Sequence, residues 1–293
     1  MLLRSIKIQD FKSYEVIIAT ESNSDEIESI CRQLNMDCRV IETGYWNRCI
    51  TGNIGILRSE GELVAILEDD VVLEPGWLTK LIAVLINDKN IGCVYSAVVN
   101  PFGSESIVAR TNKKMAYFIV KILNALRVHN HFVRKKLNVF SLTVICRKKA
   151  LLKAGLFDMN VEEPIVAEDY DLALRVQKAG YKVIVCDEAK AFHYSFHMYK
   201  RALTALGKGP QWWMKLVEND TYFFAKHYDI LSILVVLMHA FYNAILSPLV
   251  LLLKLRRISI IFFFKIFLYS IKGSFVGFIR GLLISKSSKS YRE

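Results

Sequence analysis

An α/β domain over residues 1–200, built as a Rossmann-like, mostly parallel sheet flanked by helices and followed by C-terminal membrane-associated helices, is the fold class this sequence predicts. Three observations carry it. Short apolar runs alternate with helix-length segments as far as residue 200, the order that lays strands side by side with helices on their faces. Two acidic clusters, Glu68 Asp69 Asp70 and Glu168 Asp169 with Asp171, stand where a strand or short loop ends. From Ile230 onward the chain turns almost wholly apolar. A chain of 293 residues has the length for one such domain and an appendage.

Taken in order, Met1–Ile6 reads as the tail of a helix and Tyr14–Ala19, rich in β-branched residues, as a strand. Asn53 to Glu60 reads as a helix that ends at Gly61 and feeds the strand Leu63–Leu67. After Glu68, Asp69 and Asp70, the run Glu74 Pro75 Gly76 Trp77 Leu78 is a turn into another helix. Ala154 Gly155 Leu156 Phe157 Asp158 precedes the second cluster, and Tyr170–Lys178 is the helix that follows it. Ala179 Gly180 Tyr181 then leads into a strand through Val183 and Val185 toward Ala191 Phe192 His193.

A strand that stops on three carboxylates has no packing reason to do so, because ionised Asp and Glu are rarely buried unless paired or bound to a cation. A divalent cation shared with a phosphate relieves the repulsion, since Mg2+ and Mn2+ take oxygen ligands and are held by one or two carboxylates plus substrate phosphates. The plain alternative is an acidic surface turn. At the second cluster, Glu168 and Asp169 also sit favourably at the positive end of the following helix, a role compatible with chemistry. His193 is open between a ligand and a satisfied rim histidine.

The order N-x-G at Asn53, an apolar strand closing on Glu68 Asp69 Asp70, P-G-W-L at Pro75, G-x-F-D at Gly155, E-D-x-D-L-x-x-R at Glu168, A-G-Y at Ala179 and the closing His193 resembles family 2 glycosyltransferases of the GT-A fold. The resemblance covers roughly residues 1 to 200. It implies that Glu68, Asp69 and Asp70 are the metal-binding acidic triplet, with Asp70 the direct ligand and Asp69 a contact to the donor's ribose or diphosphate. It implies that Asp169 is the general base, that Glu168 shapes the acceptor site, that His193 lies near metal and diphosphate, and that Asn53 lies close to the nucleotide. Such a base and a departing diphosphate in one direct displacement imply inversion at the anomeric carbon. The family's opening strand, of the type V-S-V-I-I-P-T-Y-N, is not found here, and Glu21 Ser22 Asn23 Ser24 Asp25 is a looser version of its acidic loop. A start placed too late is the expected reason, because a parallel sheet without a central strand leaves unpaired backbone groups in its core.

Beyond the domain, Ile230–Leu253 is long and apolar enough to cross a bilayer, interrupted only by His239, Asn243 and Pro248. A second apolar stretch, Ile258–Ile284, carries Lys265, Lys272 and Arg280, and Gly273, Gly277 and Gly281 form a ridge of small residues suited to close helix packing. A hairpin of two crossings would leave Lys254, Arg256 and Arg257 on the side away from a cytoplasmic catalytic domain, against the positive-inside tendency. A re-entrant or interfacial arrangement avoids that conflict, and the sequence leaves the choice open. The formal net charge is +11, and a basic stretch from Arg110 to Lys136 interleaved with apolar residues points to anionic lipid or a lipid diphosphate rather than nucleic acid. The six cysteines are scattered without C-x-x-C spacing and are expected to be reduced.

The expected division is a catalytic domain at 1–200, an amphipathic linker at 201–229, two membrane-associated or transmembrane helices at 230–284, and a polar tail at 285–293. The expected activity is a metal-dependent, inverting transfer of a sugar from a nucleotide-diphosphate donor to a lipid-linked or polysaccharide acceptor, with Mg2+ or Mn2+. The expected place is the cell membrane, with the catalytic domain on its cytoplasmic side and no nucleic-acid partner. A nucleotidyltransferase is disfavoured by the lack of a Gly-rich phosphate loop. From another class, a catalytically impaired scaffold subunit of a membrane glycan-assembly complex is the alternative.

Overall fold

In the computed structural model, which describes residues 1–99, 101, 142–165, 167–194, 209–227 and 260–290, the apolar runs become strands at or near the expected positions. The described residues fall in two compact units, the first drawn from Met1–Glu105, Lys135–Asn160 and Glu168–Phe196 and the second from Ser106–Arg134, Val161–Ala167 and His197–Glu293. The basic stretch from Arg110 to Lys136 and the apolar run Ile230–Leu253 lie outside the described residues.

The first unit opens with α1 (Leu2–Lys7). Ser5 and Gln9 tie it to the turn beyond the acidic triplet: Ser5 Oγ accepts from the Leu73 amide at 3.1 Å, and the buried Gln9 donates to the Glu74 carbonyl at 2.9 Å while accepting from the Leu78 amide. A buried carboxamide that satisfies backbone groups in this way fixes one segment against another. Strands β1 (Ile17–Thr20) and β2 (Arg39–Glu42) pair in parallel around α2 (Ser24–Gln33), forming a βαβ unit. Helix α3 (Arg48–Arg58) starts where Asn47 Oδ1 accepts from the amides of Cys49 and Ile50, an N-cap.

Strands β3 (Leu63–Leu67), β4 (Val71–Leu73), β5 (Ile91–Val99), β6 (Thr143–Arg147) and β7 (Lys182–His193) make a five-stranded sheet in the order β3-β6-β5-β7-β4. The expectation of a mostly parallel sheet is corrected here. Among the described strands, β5 and β7 run parallel, but β3 with β6, β6 with β5, and β4 with β7 are antiparallel. A parallel return beside β3 needs a crossover of a dozen or more residues, and only Glu68, Asp69 and Asp70 separate β3 from β4. Strand β4 does not fold back on β3 but pairs with β7, at the other end of the strand order.

Helix α4 (Trp77–Asn87) covers the sheet with Trp77, Leu81 and Leu85, each fully buried against Val71, Leu73, Val94 and Ile145. Helices α5 (Lys148–Ala154) and α6 (Glu168–Lys178) complete the unit. Facing residues Cys93 and Cys146 on β5 and β6 are joined in a disulfide, which corrects the expectation that all cysteines are reduced. Antiparallel register is the reason, since it sets the two Cα atoms 4.1 Å apart.

In the second unit, α7 (Gly209–His227) packs along α8 (Ile260–Ser290). Gly273 faces the Met214 backbone, Gly277 that of Glu218 and Gly281 that of Tyr222, so the two helices run parallel. A Cβ at Gly277 would collide with the Glu218 carbonyl, and only a ridge without side chains lets the backbones approach this closely. The buried Glu218 pairs with Arg280 and, at 3.2 Å, with Lys215. Trp213 Nε1 donates to Ser270 Oγ at 2.8 Å, and Asn219 donates to the carbonyls of Glu162 and Pro164.

Candidate active site

The site begins where β3 ends. An apolar strand, paired along its whole length with β6, delivers Glu68, Asp69 and Asp70 to the sheet edge. Strand β4 follows at once, and its pairing with β7 sets Val71 opposite His193 and lets the Tyr194 amide donate to the Asp70 carbonyl at 2.8 Å. A strand end and a strand start thus converge although they are far apart in sequence. His193 Nε2 stands 3.0 Å from Asp70 Oδ1 and 3.5 Å from Glu68 Oε2.

Glu68, Asp70 and His193 each offer a ligand atom, and these atoms all lie within 4.8 Å of one another. Two carboxylates and an imidazole of this spacing are a donor set that fits a hard divalent cation such as Mg2+ or Mn2+. The expected Asp70 and His193 are both in this group. Glu68, expected on the donor side, stands with them, whereas Asp69 is exposed and outside the group.

The second acidic cluster opens α6. Asp169 Oδ1 accepts from the Tyr170 amide at 2.8 Å, and the buried Tyr95 donates its hydroxyl to the Asp169 carbonyl. Burial, the neighbouring Glu168 carboxylate and then Glu68 push the Asp169 carboxyl up to about 7, against the opposing pull of the Tyr170 amide and Arg48. Asp171 and Arg175 are architectural: they pair at 2.6 Å one turn apart, and Arg175 Nη1 donates to the Ala154 carbonyl at the end of α5.

Arg48 joins the two clusters. Its guanidinium meets Glu168 Oε1 at 2.9 Å and Glu68 Oε1 at 4.0 Å. Sequence reasoning missed this residue because it belongs to no motif. One signal was present: a cation in the first turn of a helix opposes the macrodipole, so Arg48 needed acidic partners elsewhere.

For Asn53, expected close to the nucleotide, the structure shows an anchoring role. It is buried on α3, donating to the Phe157 carbonyl at 2.9 Å and accepting from the Phe157 amide at 2.8 Å. Both ends of its carboxamide are engaged, so Asn53 anchors the G-x-F-D segment.

A family model described as glycosyl transferase family 2 matches residues 2–152. A glucosyl-dolichyl phosphate glucuronosyltransferase of Haloferax volcanii is 22% identical over 205 residues, covering 66% of this chain and 63% of that protein. The chain spans less than two thirds of the length of the curated relatives it matches. Staphylococcus aureus TarS 1–349 in complex with UDP-GlcNAc superposes with a TM-score of 0.58 at 12% identity, over 99% of this chain and 87% of that one. The mannosyltransferase PcManGT from Pyrobaculum calidifontis, in complex with GDP-Man and Mn2+, superposes at 0.51 with 15% identity, over 99% of this chain and 82% of that one. At these identities the likeness is one of fold: the first unit carries the GT-A α/β architecture.

Proposed function

This chain belongs to glycosyl transferase family 2, and from that membership we propose that it transfers a sugar, with inversion, from a nucleotide-diphosphate donor to a lipid-linked or growing glycan acceptor at the cell membrane, its catalytic domain on the cytoplasmic side. The observation that carries the reading is the meeting of the two acidic clusters through Arg48, with Glu68, Asp70 and His193 grouped on one side and Asp169 on the other. The relative that acts on a glucosyl-dolichyl phosphate supports a lipid-linked acceptor, and the neighbour holding GDP-Man and Mn2+ supports a cation with the donor.

Glu68, Asp70 and His193 would hold Mg2+ or Mn2+. When bound, the cation neutralises the charge that develops on the departing diphosphate. Asp69, exposed beside them, is assigned to the donor's ribose or diphosphate. Asp169 takes the proton of the attacking hydroxyl: Oδ1 is engaged by the Tyr170 amide, so Oδ2 is the accepting oxygen. A carboxyl poised at about 7 is well matched to that task near neutral pH. Glu168, held by Arg48, lines the acceptor side and keeps Asp169 basic. A single base and a single displacement account for inversion.

The test is a screen of nucleotide sugars with the full chain in membranes, read as donor hydrolysis and transfer with Mg2+, Mn2+ or excess chelator. Asp70→Ala is expected to abolish transfer while the fold persists, because it removes one of several mutually repelling carboxylates. Full activity of that variant, or of the wild type in chelator, overturns the metal assignment.

A further inference from the structure

Helix α8 has two unlike faces. One is committed to α7 through Gly273, Gly277, Gly281 and the Arg280–Glu218 pair. On the other, Phe264, Leu268, Ile271, Phe275, Ile279 and Leu283 are exposed, from 42% to 66%. Their three- and four-residue steps set them in one stripe along the helix. An apolar stripe of that extent marks an interaction surface. Lys265 and Lys272 are also exposed and stand at one edge of the stripe. From there an ammonium reaches a phosphate headgroup while its methylene stem stays on the apolar surface. Charge thus favours an anionic lipid surface over an apolar protein partner.

Length alone does not say how the stripe meets lipid, since Phe264–Ile284, at 21 residues, is long enough to cross. The partner helix says more. Along the stretch that packs on α8, α7 carries Lys215, Glu218, Asn219, Asp220 and Lys226. If α8 crossed the bilayer, these residues would be drawn to hydrocarbon depth, where ionisable groups are costly and rare. We propose that α8 lies in the plane of an anionic bilayer surface, seated by the stripe from Phe264 to Leu283 with Lys265 and Lys272 at the headgroups, and that it does not cross. This rests on the membrane reading above.

The full chain is bound to phosphatidylcholine–phosphatidylglycerol vesicles, carrying one fluorescent amino acid at Phe264, Phe275 or Leu283 in turn, and quenched by lipids labelled at shallow or deep positions. Strong shallow quenching is expected at all three positions, with equal depth at each. A gradient, deepest at Phe275 and shallow at both ends, shows a crossing and overturns the proposal. A vesicle-bound protein with no quenching at any position shows the stripe covered by residues 230–253 or by a second copy, and overturns it as well. A chain that does not sediment with vesicles at all sinks the membrane reading itself, an outcome distinct from the other two.

Discussion

Asp169 works against its own ionisation. Its carboxyl stands at about 7 because it is packed in protein beside Glu168 and near Glu68, well above the ordinary aspartate range. As the proposed general base it would be active only when ionised, so transfer should rise with pH through about 7 and level off above it. Asp169→Asn cannot take the proton, and transfer should fall by about a hundredfold or more with donor affinity nearly unchanged. A collapse of donor affinity would move the residue to the nucleotide site. Stability carries the same signature with a definite sign. A raised carboxyl binds its proton more tightly folded than unfolded, so its penalty is absent below about pH 4 and complete above about pH 7. Asp169→Asn should therefore unfold at higher urea than the wild type at pH 8, and at the same urea near pH 4. Arg48 acts on the same group from outside, pulling it down. Arg48→Met should move the acid limb of the rate profile to higher pH, and Arg48→Lys should restore part of the shift. An unmoved limb would confine Arg48 to holding Glu168 in place.

At the scale of elements, the site depends on two joints. One is the turn Glu68–Asp70, which ends β3 and sends β4 to pair with β7, bringing His193 to Asp70. The other is the bond between α3 and the segment before the second cluster, made by Asn53 with both backbone groups of Phe157. Asn53→Ala would leave a buried amide and carbonyl unsatisfied, at about 2–4 kcal/mol. Urea unfolding should show that loss while the KM for donor in the folded fraction stays near wild type. A KM rise without loss of stability would return Asn53 to the nucleotide. The local signals for these elements were good: β-branched runs, the Pro75–Gly76 turn and the acidic first turn of α6 all lie where their residue types favour them. The pairing of elements was not legible. Alternating runs read as a parallel sheet, and only the short link after Leu67 betrays the antiparallel edge.

For the whole molecule, the catalytic unit is proposed to work against a membrane. Deleting the chain from Ile230 onward removes an apolar run long enough to span a bilayer, and α8 with it. The full chain should sediment with membranes in high salt, and the deleted chain should be released. Any residual binding at low salt, through the basic stretch between Arg110 and Lys136, should fall as ionic strength rises. Release of the full chain under the same conditions would assign both apolar segments to protein packing.

The first acidic cluster stood out in the sequence alone as a candidate site, because carboxylates bunched at the end of an apolar strand violate the ordinary rule of burial wherever the strand lies. Glu68, Asp69 and Asp70 were singled out on that ground, whereas Asp169 and His193 were assigned roles through the order of motifs that resembles family 2 glycosyltransferases. What the sequence could not decide is what each side chain faces, since that depends on strand order and register across distances that no local propensity encodes. Tertiary structure alone put Glu68 with His193, turned Asn53 inward onto Phe157, set Cys93 opposite Cys146, and made Arg48, a residue of no motif, the cation shared by both acidic clusters.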